Sequence, residues 1–293
     1  MDNHIKLGRM NTLEIDRITD PGIFLIAGDE EVVLLPNIYV TPEMAVGKYL
    51  EVFVYSDSED RIVATTLTPA GVVGDFVALE VVDTMLYGAF MNWGLAKDLL
   101  IPSKFQKTIY NIGEIKVVKI IEDVETDRLF GTEKFGELLT GDVSELKRNQ
   151  EVKLMTYHKT PLGYKVLIAD NDEGFRFEGM IFHNEIFQHL KIGQKLTGYV
   201  KNMRSDRKID ISLQPLGKKA EKIGSARVLE VLGKNSGKID FTYKSSSENI
   251  SDIFGISKKA FKKALTELIE KKRIKLNEDS IEIIKQRGVF SHL

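Results

Sequence analysis

The chain has 293 residues and a formal net charge of −2, with 43% hydrophobic and 29% charged residues, and this length predicts more than one domain. The lack of cysteine excludes disulfides and thiolate metal sites and is typical of a reducing cytoplasm. No apolar run approaches the roughly 20 residues that cross a bilayer, and residues 1–9 do not have the pattern of a signal peptide, so we expect a cytoplasmic protein with no membrane partner.

Three positions recur in the same order along the first 214 residues. A glycine opens a strand at Gly22, Gly88 and Gly163, and a second glycine follows in a turn 25, 25 and 30 residues later. A basic residue then begins a last strand after a further 14, 15 and 15 residues. Repetition at this spacing predicts three copies of one structural unit, over 1–68, 69–144 and 145–214.

The second copy shows the architecture of the unit. Its apolar and polar residues predict five strands, at 74–82, 87–93, 97–101, 114–121 and 128–132. Five short strands in about 70 residues are typical of an OB-type barrel, which presents its second and third strands to nucleic acid. We therefore expect a mainly β protein with three tandem five-stranded OB barrels.

The remaining residues, 215–293, predict a different domain. After a linker, 226–232 has apolar side chains at helical spacing, a second helix starts in the Ser-rich stretch 244–248 and ends at Gly255, and Ser257 caps a third helix. Alternating residues around a turn follow. Three helices and a two-stranded wing are typical of an α+β winged helix-turn-helix domain.

Charge is distributed unevenly over these four segments. Segments 1–70 and 71–144 hold 5 and 7 Lys or Arg against 12 Asp or Glu each, whereas 145–214 and 215–293 hold 12 against 9 and 17 against 10. Phosphates bind where cations are in excess. A polyanion should therefore meet the C-terminal half.

The second copy resembles the RNA-binding repeat of ribosomal-protein-S1-type domains, through Tyr87-Gly88-Ala89-Phe90, Ile112-Gly113-Glu114 and Arg128-Leu129. The resemblance implies that Tyr87, Phe90 and Arg128 contact RNA, although Ile101 stands where the family has histidine. The first copy departs further from the pattern. In the third copy the side chains near the expected surface are Tyr164, Lys165, Phe182, His183 and Lys208.

Basic side chains cluster at two further places in the C-terminal half. One group crowds the last hairpin of the third barrel: Lys201, Arg204, Arg207 and Lys208. The other forms a ridge on the third helix and continues past its end: Lys258, Lys259, Lys262, Lys263, Lys271, Lys272 and Arg273. Each group is either an RNA contact or solvated surface, and the last three residues also complement the helix dipole.

Three S1-type segments followed by a winged helix, in this order and length, resemble the conserved virulence factor B family of Gram-positive bacteria. That family is described as RNA-binding and regulatory. The resemblance implies that the third barrel and the winged helix hold the RNA.

Three functional hypotheses remain at this stage. The favoured one is a post-transcriptional regulator that binds single-stranded RNA. The second is a winged-helix transcription factor, although the third helix has no Arg, Asn or Gln before its last turn. The third is a scaffold that docks on the ribosome, a polymerase or RNA-processing machinery. Because the four segments use almost the whole chain and no catalytic motif is present, we expect no enzyme, cofactor or metal site.

Overall fold

The computed structural model describes residues 4–284 except 29, 124, 172–173, 207 and 216–217, and it describes 218–222 without their side chains. The chain divides into two compact units, Met1–Thr140 and Gly141–Leu293. The first unit contains the first two predicted barrels, and the second contains the third barrel and the winged helix. The strands and helices lie inside the four predicted segments, whose boundaries stay a prediction.

The first barrel is closed, with strand order β1-β2-β3-β5-β4. Its strands are β1 (Met10–Thr19), β2 (Gly22–Ile26), β3 (Val32–Pro36), β4 (Tyr49–Ser56) and β5 (Ile62–Thr65). A parallel pair between β3 and β5, with Leu34 opposite Val63, completes the closure. Alternate residues such as Ile15, Ile23 and Leu25 point inward and are fully buried, as the period of a strand requires.

The second barrel has the five predicted strands but is a half-barrel. These are β6 (Phe76–Met85), β7 (Gly88–Asn92), β8 (Leu99–Pro102), β9 (Ile115–Asp123) and β10 (Arg128–Thr132), in the order β10-β9-β6-β7-β8. Within the described residues no backbone pairing joins β8 to β10. The second barrel, which we predicted to be closed like the other two, is therefore open along this edge. Side-chain packing joins the two edge strands instead. Ile101 covers Gly131, where a Cβ would lie 2.3 Å from the Ile101 Cδ1.

The first two barrels share one hydrophobic core. Phe53 and Val63 lie on the outer side of the first barrel, and they are buried in the same cluster as Trp93 and Met91 of the second. The rings of Phe53 and Trp93 meet edge to face with centroids 5.6 Å apart, and the indole Nε1 of Trp93 donates to the Lys97 carbonyl at 2.6 Å. These two barrels are therefore packed as one body.

Polar contacts surround that shared core. The Lys97 Nζ donates to the Asp57 carbonyl at 2.7 Å and lies 3.5 Å from an Asp60 carboxylate oxygen. The guanidinium of Arg128 donates to Asp60 at 2.5 Å. The hairpin between β4 and β5 of the first barrel is thus tied to β10 and to the loop before β8 of the second.

The third barrel is closed and repeats the strand order of the first. Its strands are β11 (Glu151–Thr160), β12 (Gly163–Ala169), β13 (Phe177–Phe182), β14 (Lys195–Met203) and β15 (Ile209–Ser212). Three parallel pairs join β13 to β15, with Met180 opposite Asp210 in the middle. Its own core contains Val166, Ile181 and Ile211.

The winged helix is confirmed. It consists of α1 (Lys218–Lys234), β16 (Lys238–Ile239), α2 (Ser247–Phe254), α3 (Lys258–Glu270), β17 (Ile274–Leu276) and β18 (Ile281–Ile283). Ser246 and Ser257 cap α2 and α3, because each side-chain hydroxyl accepts a hydrogen bond at 3.1 Å from the backbone N–H three residues later. Gly255 ends α2 in the left-handed conformation, with φ +63°. β16, which pairs with β18, is the one strand here that the sequence did not predict.

The shared core of the first unit generates a stability prediction. Phe53→Ala should lower the free energy of unfolding of this unit by about 3–5 kcal/mol, because it removes a fully buried ring and leaves a cavity beside Trp93. Trp93 is the single tryptophan of the chain, so its fluorescence during urea unfolding reports on this unit. Tyr49→Ala is the matched control on the same strand. Since Tyr49 is 66% exposed, its loss should cost about 0.5 kcal/mol or less. Equal costs for the two variants would contradict the shared core.

Candidate nucleic-acid interface

Strand alternation determines which residues of each second strand face outward. In β2, β7 and β12 the residue after the opening glycine points inward, and the next one points outward. The outward residues are Phe24, Phe90 and Lys165. These three positions are equivalent by register, because Gly22, Gly88 and Gly163 each pair with the last residue of the following strand.

Tyr164 occupies the inward position, so its prediction as an RNA contact was wrong. The residue is only 7% exposed and belongs to the core of the third barrel. Its hydroxyl donates to the Leu190 carbonyl at 3.0 Å, which satisfies the one polar group of a buried tyrosine. Counting from Gly163 along the strand places Tyr164 in register with Ile23 and Ala89, which is the signal that identifies it as core.

Four predicted residues of the third barrel come together around one groove. Lys165 on β12, Phe182 at the end of β13, Arg204 after β14 and Lys208 before β15 all line a cavity of about 760 Å³. This volume is within the range of about 300–1,000 Å³ that is typical of ligand sites. The other residues of its lining are Thr160, Pro161, Leu162, Glu178, Gly179, Met180, Ile209 and Asp210.

Each cation of this groove has a carboxylate partner. Lys165 Nζ lies 2.9 Å from Glu178 Oε1, and Lys208 Nζ lies 2.7 Å from Asp206. The Lys208 hydrogen bond lowers the pKa of Asp206 below its usual value. The guanidinium of Arg204 contacts both Asp210 oxygens, at 2.9 and 3.2 Å, and lies 5.4 Å from the centroid of the Phe182 ring. The cations therefore lie beside carboxylates at the edge of an apolar floor, and Arg204, whose partner Asp210 is nearly buried, is the most firmly held of the three.

Two other predicted residues of this barrel, Lys201 and His183, are not in the groove lining. Lys201 lies on β14 and pairs with Glu185 at 2.5 Å. His183 is exposed at the start of a 3₁₀ turn, His183–Glu185, that follows β13. Arg207 lies outside the described residues.

The lysine ridge of α3 is opposite the buried side of that helix. Phe261, Leu265 and Leu268 face the core, whereas Lys259, Lys262 and Lys263 are exposed and Lys258 is half-buried. Past this ridge, Lys271, Lys272 and Arg273 are also exposed, and Lys271 pairs with Glu267 one turn earlier. The winged helix thus presents a cationic surface along and beyond α3.

The second barrel presents aromatic rings, but its predicted cation is engaged. Tyr87 is 60% exposed in the turn between β6 and β7, and its ring meets that of Phe90 edge to face with centroids 6.0 Å apart. Arg128 pairs with Asp60 of the first barrel, although more than half of its side chain remains exposed.

A second aromatic pair on this barrel was not predicted from the sequence. Phe105 and Phe130 are stacked at 4.8 Å, with the Lys104 Nζ 4.9 Å from the Phe105 centroid. The position of Phe130, two residues after Arg128 in β10, places it on the same side of the strand. Phe105 lies in a 3₁₀ turn, where no periodic pattern indicates which way a side chain faces.

The fold and the cationic surfaces define a protein assembled from nucleic-acid-binding domains. Residues 7–67 match the family model described as S1 domain, and residues 226–283 match the model described as CvfB-like winged helix domain. The first barrel, whose residues depart further from the S1 pattern than those of the second, is therefore the one that matches the S1 family model. Neither family is an enzyme family.

Named relatives extend this similarity over nearly the whole chain. The chain is 28% identical to "Uncharacterized protein YitL" of Bacillus subtilis, covering 93% of this chain and 92% of the relative. It is 22% identical to "Conserved virulence factor B" of Staphylococcus epidermidis, covering 96% and 95%. The resemblance to conserved virulence factor B proteins is thereby confirmed.

A solved structure is also similar. It comes from Streptococcus pneumoniae and is described as a multidomain protein with nucleic acid binding domains. It is 23% identical, the match covers 95% of this chain and 98% of that chain, and the two superpose with a TM-score of 0.44.

Among the described helices of the present chain, none has the length and apolar character needed to span a bilayer.

The Arg128–Asp60 contact generates a pH prediction. The Arg128 hydrogen bond holds the pKa of Asp60 below its usual value. A carboxylate with a depressed folded-state pKa stabilises the fold above its unfolded-state pKa, about 3.9, and this contribution is lost as pH falls through the folded-state pKa. Arg128→Ala should return the pKa of Asp60 toward about 3.9 in an NMR titration of the carboxyl carbon.

Arg17→Ala is the control for this titration, because Arg17 pairs with Asp16 and has no contact with Asp60. It should leave the Asp60 titration unchanged. A wild-type Asp60 that already titrates at the ordinary value would show that the contact does not hold in solution.

Proposed function

We propose that this protein binds single-stranded RNA and regulates gene expression after transcription. In this proposal the third barrel and the winged helix hold the RNA. The observation that carries it is the groove of the third barrel, where Lys165, Arg204 and Lys208 surround an apolar floor beside Phe182. A groove of this kind suits a strand whose phosphates and bases can be bound separately.

The apolar floor favours a single strand over a duplex. Bases that are not paired can turn toward a protein and stack on exposed rings, and each stacked base contributes about 1–3 kcal/mol. The half-buried Phe182, with Leu162 and Met180 in the same lining, offers such a surface. Paired bases inside a duplex are not available to it.

The lysine ridge supports electrostatic binding without base readout. Lysine is a flexible point charge that binds phosphate without fixed geometry, whereas Arg, Asn and Gln are the usual readers of base edges in duplex DNA. α3 (Lys258–Glu270) contains none of those three residue types. This composition supports RNA over a specific DNA operator as the ligand.

The acidic charge and the exposed apolar side chains of the first unit favour contact with a protein partner. Its two barrels are acidic, and several large apolar side chains are exposed on it, among them Ile38 and Leu86. Anionic surfaces repel phosphate. We propose that this unit docks on the ribosome or on RNA-processing machinery.

The ligand class can be tested directly. Gel shifts with single-stranded RNA, single-stranded DNA and duplex DNA should be measured across a salt series. Single-stranded RNA should bind most tightly, with affinity falling as salt rises. A preference for duplex DNA would support the transcription-factor alternative instead, and no salt-dependent binding to any ligand would support the scaffold.

Removing charge from the ridge should reduce the salt dependence of RNA binding. In Lys258→Ala/Lys259→Ala/Lys262→Ala, the slope of log affinity against log salt should fall in magnitude by about 2, because each lost phosphate contact contributes about 0.7 for a single strand. Fluorescence anisotropy with labelled oligouridine measures this slope.

The matched control removes three lysines from the first unit, in Lys48→Ala/Lys104→Ala/Lys134→Ala. All three are exposed. This variant has the same net charge as the ridge variant, and its salt slope should equal that of the wild type. Equal losses in the two variants would show that net charge, rather than the ridge, determines binding.

A further inference from the structure

One arginine of the third-barrel groove is held by its backbone and by its side chain. The backbone N–H of Arg204 donates to the Lys208 carbonyl at 2.9 Å, which closes the turn between β14 and β15. Its guanidinium lies 2.9 and 3.2 Å from the two carboxylate oxygens of Asp210, and its Cζ lies over the Phe182 ring, 5.4 Å from the centroid. Because the Asp210 side chain is only 15% exposed, salt screens this ion pair less than a pair on an open surface.

The contact with Asp210 limits what Arg204 can do for a phosphate. A cation and an anion in contact largely cancel each other at the distance of a third charge. The carboxylate itself repels a phosphate that approaches the pair. Attraction of the RNA backbone, which is the usual role of a basic residue, is therefore weak at this position.

The flat faces of the guanidinium are not used by these contacts. The N–H groups of arginine lie in its plane, so the contacts with Asp210 occupy the edge of the group. The Arg204 side chain is 39% exposed, and it lines the groove together with the apolar Leu162 and Met180. A planar, partly exposed cation beside apolar side chains is suited to the face of a base, because unpaired bases stack on arginine planes as well as on aromatic rings.

From this arrangement we infer that Arg204 is a stacking platform of the groove, which binds RNA through the face of a base rather than through its charge. Asp210 and Phe182 are positioning residues, which hold the guanidinium flat in the lining. The inference rests on the proposed function, because it presumes that the groove holds single-stranded RNA. Since every base has a π-face, stacking at this place does not require a particular base.

The experiment compares the binding of the full-length protein to two labelled oligomers of equal length, oligouridine and oligodihydrouridine. The two bases have the same N–H and carbonyl groups, but dihydrouracil has a saturated, puckered ring that stacks poorly. Wild-type protein should bind oligouridine about tenfold more tightly in fluorescence anisotropy at one salt concentration. Arg204→Lys keeps the charge and removes the plane. It should weaken oligouridine binding about tenfold and change oligodihydrouridine binding by less than about twofold.

Asp210→Asn separates the position of the guanidinium from the charge of the groove. This variant removes one negative charge, so a purely electrostatic role of the pair predicts tighter binding of both oligomers by the same factor. Loss of the carboxylate that holds Arg204 predicts instead a smaller preference for oligouridine, while oligodihydrouridine binding stays equal or becomes tighter.

The matched control is Arg176→Lys in the same barrel. Arg176 also contacts carboxylates, Glu145 at 2.8 Å and Asp170 at 3.5 Å, and its Cζ lies 5.4 Å from the Phe177 centroid, but it does not line the groove. This variant should keep both affinities. The ratio of two affinities does not change with the fraction of folded protein, so partial unfolding of R204K cannot imitate the expected result.

The remaining outcomes separate this inference from the proposed function. If wild-type protein binds the two oligomers equally, or if R204K or D210N keeps the full preference for oligouridine, the stacking role of Arg204 is wrong while RNA binding stands. An equal loss for both oligomers in R204K would likewise contradict stacking. If neither oligomer binds the wild-type protein, the proposed function fails as well.

Discussion

The opening glycine of each second strand is the constraint on which the barrels depend. At Gly22 and Gly163 a Cβ would lie 2.1 and 2.0 Å from a backbone carbonyl oxygen of the neighbouring strand, and both residues have φ near +150°. A side chain there would collide with backbone, which cannot move as a side-chain tip can. The close approach places Gly22 opposite Pro36 and Gly163 opposite Phe182. Since register determines which residues face outward, these glycines also decide what each barrel presents to a ligand.

The three copies use their outer surfaces differently. In the first barrel, Phe53 and Val63 point outward and are buried against the second barrel, so that part of the surface becomes core. In the second barrel, Arg128 is held by Asp60 of the first. In the third barrel, the outward row Lys165, Met180 and Asp210 lines a groove. One fold thus supplies a packing surface in the first unit and a groove with paired cations in the third barrel, and the differences lie in the residues at equivalent positions.

Much of this could be predicted from the sequence, and the exceptions have physical causes. Repeat spacing and capping residues are local signals, so the five strands of the second copy, the end of α2 at Gly255 and the start of α3 after Ser257 could be predicted. Tyr164 is buried although its aromatic character suggests a base-stacking surface, because its position in the strand alternation determines which way its ring faces. The half-open second barrel and the Arg128–Asp60 contact depend on residues that are far apart in the chain, 68 positions in the latter case. No local pattern reports such pairings.

The groove and the lysine ridge differ in electrostatics, and under the proposed function this difference gives the two surfaces a different dependence on salt. Lys165 and Arg204 are already neutralised by Glu178 and Asp210, so a base entering the groove displaces few ions from RNA. Hydrogen bonding and stacking there depend weakly on salt. Within the described residues no ion pair is recorded at Lys258, Lys259 or Lys262, so phosphates that bind them release counterions. Because both surfaces belong to the same compact unit, in this proposal α3 supplies salt-dependent attraction while the groove offers an apolar surface on which bases can stack. Two domains with different charge balance can therefore perform what a single uniformly basic surface could not.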